Sequence, residues 1–159
     1  MAYDLAGPLA TDNASFGGRA ETDAIGSIEV RAAFVASAAA IRHMKDGGRI
    51  INIGGCNAER MPFVGGAAYA MSKSALQGLV KGLARDLGPR GITVDNVQPG
   101  AVDTDMNPAE GEFAEMLKKL MALPRYGSAD EIAALVAYLA GPEAGFVTGA
   151  SLTIDGFTA

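Results

Sequence analysis

The sequence predicts an α/β domain with a parallel sheet and right-handed crossovers. Three observations carry this reading. Short apolar runs alternate with longer helical stripes, glycine and proline punctuate the runs, and most helices bring their own start or stop signals. At 159 residues the chain is one domain by length, enough to bury roughly 70% of its unfolded surface.

Residues 1–26 are rich in Gly, Ala, Asp and Thr, and their weak periodicity reads as an irregular segment; the domain proper is 27–159. From Ser27 an apolar stripe of Val30, Phe34, Ile41 and Met44 predicts a helix that ends before Asp46-Gly-Gly. "RIINI", 49–53, is a short apolar run between glycines, as a strand buried on both faces would be. A helix follows over 67–87, with Leu76, Leu79, Val80, Leu83 and Leu87 on one side and Gly88-Pro89 as its stop. "GITVDNVQPG", 91–100, is β-branched and closes on Pro-Gly, a strand.

Asn107-Pro-Ala-Glu110 has the form of a helix start, with Glu110 and Glu112 early and Lys118 and Lys119 late to suit the macrodipole. "SADE", 128–131, is a capping box opening a helix that stops at Gly141-Pro142. "ASLTIDG" supplies a final strand. The carboxyl ends of the three strands are Gly54-Gly55, Pro99-Gly100 and Asp155-Gly156. Ligands of such sheets bind beyond those ends.

Composition narrows the function. A net charge of −5 leaves no basic stripe for nucleic acid or for an anionic membrane. No apolar stretch has the length of a membrane span, and the N-terminus lacks the pattern of a signal peptide. One cysteine, Cys56, permits no intramolecular disulfide, so a reducing, cytoplasmic setting is the expectation. Cys56 itself reads as a small buried hydrophobe, and His43 as a residue suited to a helix end. Asp103 and Asp105 read as caps; no third ligand stands at a useful spacing, so no metal is expected.

Tyr69 and Lys73 are four residues apart in the first turns of a helix and therefore share a face. A free phenol has a pKa of about 10, too high for a good base at neutral pH. A neighbouring ammonium favours the phenolate, so Lys73 is expected to lower it. The pair reads as acid–base machinery, or as a surface pair of little energetic weight.

Over roughly residues 27–156 the sequence resembles the short-chain dehydrogenase/reductase family. The motifs occur in order: "NIGG" at 52–55, "YAMSK" at 69–73, "LARDLGPRGITVDNVQPG" at 83–100, "VDTDM" at 102–106 and "FVTGASLTIDG" at 146–156. The resemblance implies a partial Rossmann-like, doubly wound parallel sheet made of the family's last three strands. It implies Tyr69 as general acid/base and Lys73 as modulator and ribose ligand. Pro99, Gly100, Val102 and Thr104 match the loop that touches the nicotinamide. The implied cofactor is NAD or NADP, and the implied substrate a small carbonyl/alcohol pair. By analogy Met106, Phe113, Met116 and Met121 line the substrate pocket.

Three departures accompany the resemblance. The family's opening strand, Thr-Gly-x-x-x-Gly-x-Gly turn and helix have no counterpart; neither Gly17-Gly18 nor Gly54-Gly55 extends to it, and the domain reads as truncated. The family's serine falls at Gly55 or Cys56, and its helix Asn falls at Glu29, whose charge would compete for Lys73. With only these strands, 49–53 lies at an open edge that something should cover. A homo-oligomer is expected, paired through helices 28–45 and 67–87, whose small residues (Ala32, Ala33, Ala36, Ala38, Ala39, Ala40) allow close packing. The alternative to an enzyme is a noncatalytic remnant or scaffold subunit.

Overall fold

Apolar strands that alternate with helices must bury both faces of a sheet, and the chain does so with three parallel strands between helical layers. This is the arrangement in a computed structural model, which describes residues 26–62 and 64–157. A π-helical turn, Gly26–Arg31, runs into α1 (Ala32–Ile41), followed by β1 (Arg49–Ile53), α2 (Ala67–Leu87) and β2 (Thr93–Pro99). Then come α3 (Glu112–Lys119), α4 (Ala129–Ala140) and β3 (Ser151–Ile154). The sheet order is β1-β2-β3, with Ile50 beside Val94 and Val97 beside Leu152. The predicted irregular segment lies outside the described residues except at Gly26, which already belongs to the helical turn.

Strand alternation sends Ile50 and Val94 to one face and Ile51 and Val97 to the other. On the first face Val80 and Leu87 of α2 close over Ile92 and Val94, with Ile41, Met44 and Ile50 around them. On the second, Leu139 of α4 and Ala144 cover Val97, Ile51 and Ile154. A smaller cluster of Ala114, Leu117 and Tyr126 anchors α3 beyond the strand ends. The sheet is thus sandwiched, and its carboxyl edge is left to the loops.

The boundaries of α2 match the sequence prediction, and Ser128 and Glu131 cap α4 reciprocally as the capping box requires. Elsewhere the structure corrects the reading. The first helix ends at Ile41 rather than at 45, and Phe34 is 57% exposed. Its sequence is apolar on every side, so periodicity has no face to select. The residues of β1 are half-buried, not buried on both faces, and Ile53 is 52% exposed. The cause is position: β1 is the edge of the sheet, and among the described residues nothing pairs with its outer side.

Asn107 does not cap a helix. Its backbone N–H donates to Thr104, and α3 begins only after Gly111, whose φ of +95° breaks the chain direction. Glu112 and the two lysines still match the macrodipole of α3. α2 stops at Gly88-Pro89 as the sequence predicts; these two open a 3-10 turn, and Gly91, at φ +64°, makes the left-handed step.

Candidate active site

Tyr69 sits in the first turn of α2, delivered there by a glycine turn whose Gly65 has a φ of +90°. Its hydroxyl points toward the end of β1. A Cβ added at Gly55 would lie 3.6 Å from that hydroxyl and 3.7 Å from Lys73 Cε, ordinary contact distances. Gly55 is itself extended, with a φ of −176°, so any residue could adopt its backbone. Gly54 is different: its Cβ would come within 2.7 Å of the Asn96 side chain, so only glycine fits there.

A cleft of about 270 Å³ opens at this point, between Gly55, Tyr69 and Pro99-Gly100 on one side and Phe113, Leu117 and Met121 on the other. Gly100 is pressed against the strand beyond it; a Cβ there would fall 2.6 Å from Asp155 Cα. Among the residues expected at the nicotinamide, Pro99 and Gly100 thus line the cleft. Val102 forms a bridge with Gly127 and Thr104 with Asn107, and neither Val102 nor Thr104 lines the cleft. Of the four residues expected to line the substrate pocket, Phe113 and Met121 do so; Met106 is 95% exposed and Met116 points to solvent.

Lys73 is buried, and its ammonium is already engaged. Nζ lies 2.9 Å from Glu29 Oε1, and the same carboxylate accepts from Ser72 Oγ at 2.9 Å. The ammonium stands 5.1 Å from the centre of the Tyr69 ring, over its face. The competition expected of Glu29 therefore occurs. Lys73 pulls the Tyr69 pKa down as expected, but burial, with Glu29 and Cys56, outweighs it and holds the phenol above its ordinary value.

Cys56, next to Gly55, is buried, and its thiol donates to Asn57 at 3.2 Å. Burial and the Asp155 carboxylate push its pKa up to about 11, so it stays a thiol and a poor nucleophile. Two features of the rim were not legible in the sequence. Arg60 pairs with Asp155 at 2.9 Å across 95 positions of chain, and its guanidinium stacks over the Phe157 ring. Separation of that size leaves no sequence signal. Among the described residues no cluster of His, Cys, Asp or Glu could hold a metal, and no helix is long and apolar enough to cross a membrane.

A parallel sheet with a Tyr–Lys helix over its first strand end defines a class, and the comparisons agree. Residues 6–157 match the family described as enoyl-(acyl carrier protein) reductase. The chain belongs to the short-chain dehydrogenase/reductase family. It is 57% identical over 136 residues to the cyclic-di-GMP-binding biofilm dispersal mediator protein of Escherichia coli K12, covering 86% of this chain and 57% of that protein. A short-chain dehydrogenase/reductase from Serratia marcescens superposes with a TM-score of 0.87 at 62% identity, over 93% of this chain and 60% of its own. The structure of BdcA in complex with NADPH superposes with a TM-score of 0.88 at 53% identity, over 93% and 61%. The chain therefore spans about three-fifths of the length of these relatives.

Proposed function

We propose that this chain carries the proton-transfer and nicotinamide-facing part of an NADPH-dependent oxidoreductase that reduces small, apolar carbonyl compounds. The supporting observation is the Tyr69 hydroxyl at the wall of the cleft, beside Gly55 and within the same opening as Pro99-Gly100. A volume of about 270 Å³ suits a nicotinamide ring with a small carbonyl beside it, and not a whole dinucleotide. Pro99 and Gly100 would flank that ring. The bound cofactor would supply the hydride.

Tyr69 donates its phenolic proton to the carbonyl oxygen as the alcohol forms. A phenol raised above its ordinary pKa is suited to this direction and ill-suited to serve as the base of alcohol oxidation. Phe113, Leu117 and Met121 give the substrate side an apolar wall. Position 55, where glycine stands, offers the reacting oxygen no side-chain donor beside Tyr69. Catalysis of modest rate is the consequence. Copies of the chain pair through α1 and α2, whose outer faces expose Phe34, Val35 and Met71.

A noncatalytic scaffold is the second reading. It is favoured by the ion pair that holds Lys73 away from the cleft and by the missing donor at Gly55. Fluorescence titration of the 159-residue protein with NADPH and NADH separates the two, followed by assays of generic ketones with Tyr69→Phe as control. Micromolar NADPH binding with turnover that depends on Tyr69 supports the enzyme; failure to bind either nucleotide leaves the scaffold.

A further inference from the structure

We propose that Glu29 is a positioning residue that captures the Lys73 ammonium, withholds it from the Tyr69 hydroxyl, and so keeps Tyr69 a proton donor. The inference rests on Tyr69 being the proton-transferring group, and it assigns a direction to the site. Its basis is geometric. Glu29 comes from the π-helical turn that precedes α1, and its two oxygens reach across to two neighbouring residues of α2. One oxygen lies 2.9 Å from Lys73 Nζ and the other accepts from Ser72 Oγ at 2.9 Å. Ser72 is fully buried and its hydroxyl also lies 2.8 Å from the Tyr69 carbonyl, so the carboxylate is fixed to the turn that carries the phenol.

The lysine's reach is thereby spent. Its stem passes beneath Gly55, 3.7 Å from where a Cβ would stand, yet its ammonium turns back to the carboxylate and rests over the ring face. An ammonium at a phenol oxygen stabilises the phenolate directly. One neutralised by a carboxylate does so weakly, because the two charges oppose each other at the oxygen. The groups facing Tyr69 are Lys73 on its own helix, Glu29 from the preceding turn and the Cys56 thiol from beyond β1. Neutralising Glu29 leaves the cation in place. Ordinary ion pairs at a surface would matter little, but the Lys73 side chain is only 11% exposed, so screening by salt is limited.

The test reads the phenol in the free protein, without cofactor or turnover. Tyr69 is titrated by the ultraviolet absorbance of its phenolate, taking the difference between each protein and its Tyr69→Phe counterpart. In Glu29→Gln the midpoint is expected to move to lower pH, because Lys73 is freed and a negative charge is gone. An unchanged or higher midpoint in a folded Glu29→Gln protein overturns the proposal. Glu29→Asn, which also removes the charge, serves if Gln disrupts folding, with circular dichroism as the check. If neither variant folds, the carboxylate is a structural clamp between the first turn and α2, and the proposal fails. Because no catalysis is measured, an inactive protein with a shifted Tyr69 midpoint would refute the proposed reaction, and with it the proton-donor role, while leaving the capture of Lys73 by Glu29 standing.

Discussion

The two ends of β2 share one strand and one sheet face, yet they are built on opposite principles. At the amino end Ile92 and Val94 meet Val80 and Leu87, an apolar contact with no hydrogen bond between side chains. Two residues on, the same face turns polar. Asn96 donates to Gln98 and Ser151, and Gln98 donates to Glu59 and Thr153 while accepting from Gln77. Val94, Asn96 and Gln98 are all fully buried. Apolar burial stabilises whatever the exact geometry, whereas a buried polar network must be satisfied atom by atom and so fixes positions. The lower end holds the fold; the upper end sets Glu59 and the turn after β1, and with them one wall of the cleft.

Substitutions at the two ends should therefore separate. Ile92→Ala leaves a cavity in the lower cluster and is expected to cost about 2–5 kcal/mol in urea unfolding. NADPH affinity of the protein that remains folded should not change. Gln98→Ala is expected to cost less, about 1–3 kcal/mol, by removing the hydrogen bonds Gln98 makes to Gln77, Glu59 and Thr153. It should also lower ketone reduction at a temperature where the protein stays folded, which Ile92→Ala does not do. Gly55→Ser sharpens the comparison from the other side. It adds a hydroxyl donor against Tyr69 where the space and backbone already admit one, and reduction should rise by about tenfold with little change in unfolding.

The smallest effect is expected at the cap of α4. Glu131 is held at a pKa of about 2 by Arg125 and by the Ser128 backbone N–H. Its folded value is below its ordinary one, so its contribution is present in full above the normal carboxylate range and is lost as pH falls toward 2. Acid unfolding of Glu131→Gln should show a shallower pH dependence over that window than the parent protein, with no change in the cleft.

The sequence made the frame legible where local chemistry is strong. The bounds of α2, the box at Ser128 and Glu131, and the three glycine-rich strand ends all follow from caps and breakers. It misplaced the start of α3 because Asn107-Pro is equally good chemistry for the turn it forms with Thr104. It could name Tyr69, Lys73, Pro99, Gly100, Val102 and Thr104 as one group, and three of these six line the cleft. The resemblance put Glu29 in competition for Lys73, and the two meet across 44 positions, but nothing in the sequence showed that burial would outweigh the ammonium at Tyr69. Desolvation and long-range pairing are properties of packing, and periodicity does not encode them.

The pH profile of ketone reduction by NADPH, set beside that of the reverse alcohol oxidation, tests the central claim most directly. If the upper end of the strand presents Tyr69 as a neutral donor, reduction holds its rate beyond pH 10, the ordinary phenol value, and Tyr69→Phe lowers it by about 100- to 10,000-fold. A reduction rate that falls away below pH 10, or that is indifferent to Tyr69→Phe, would contradict the account.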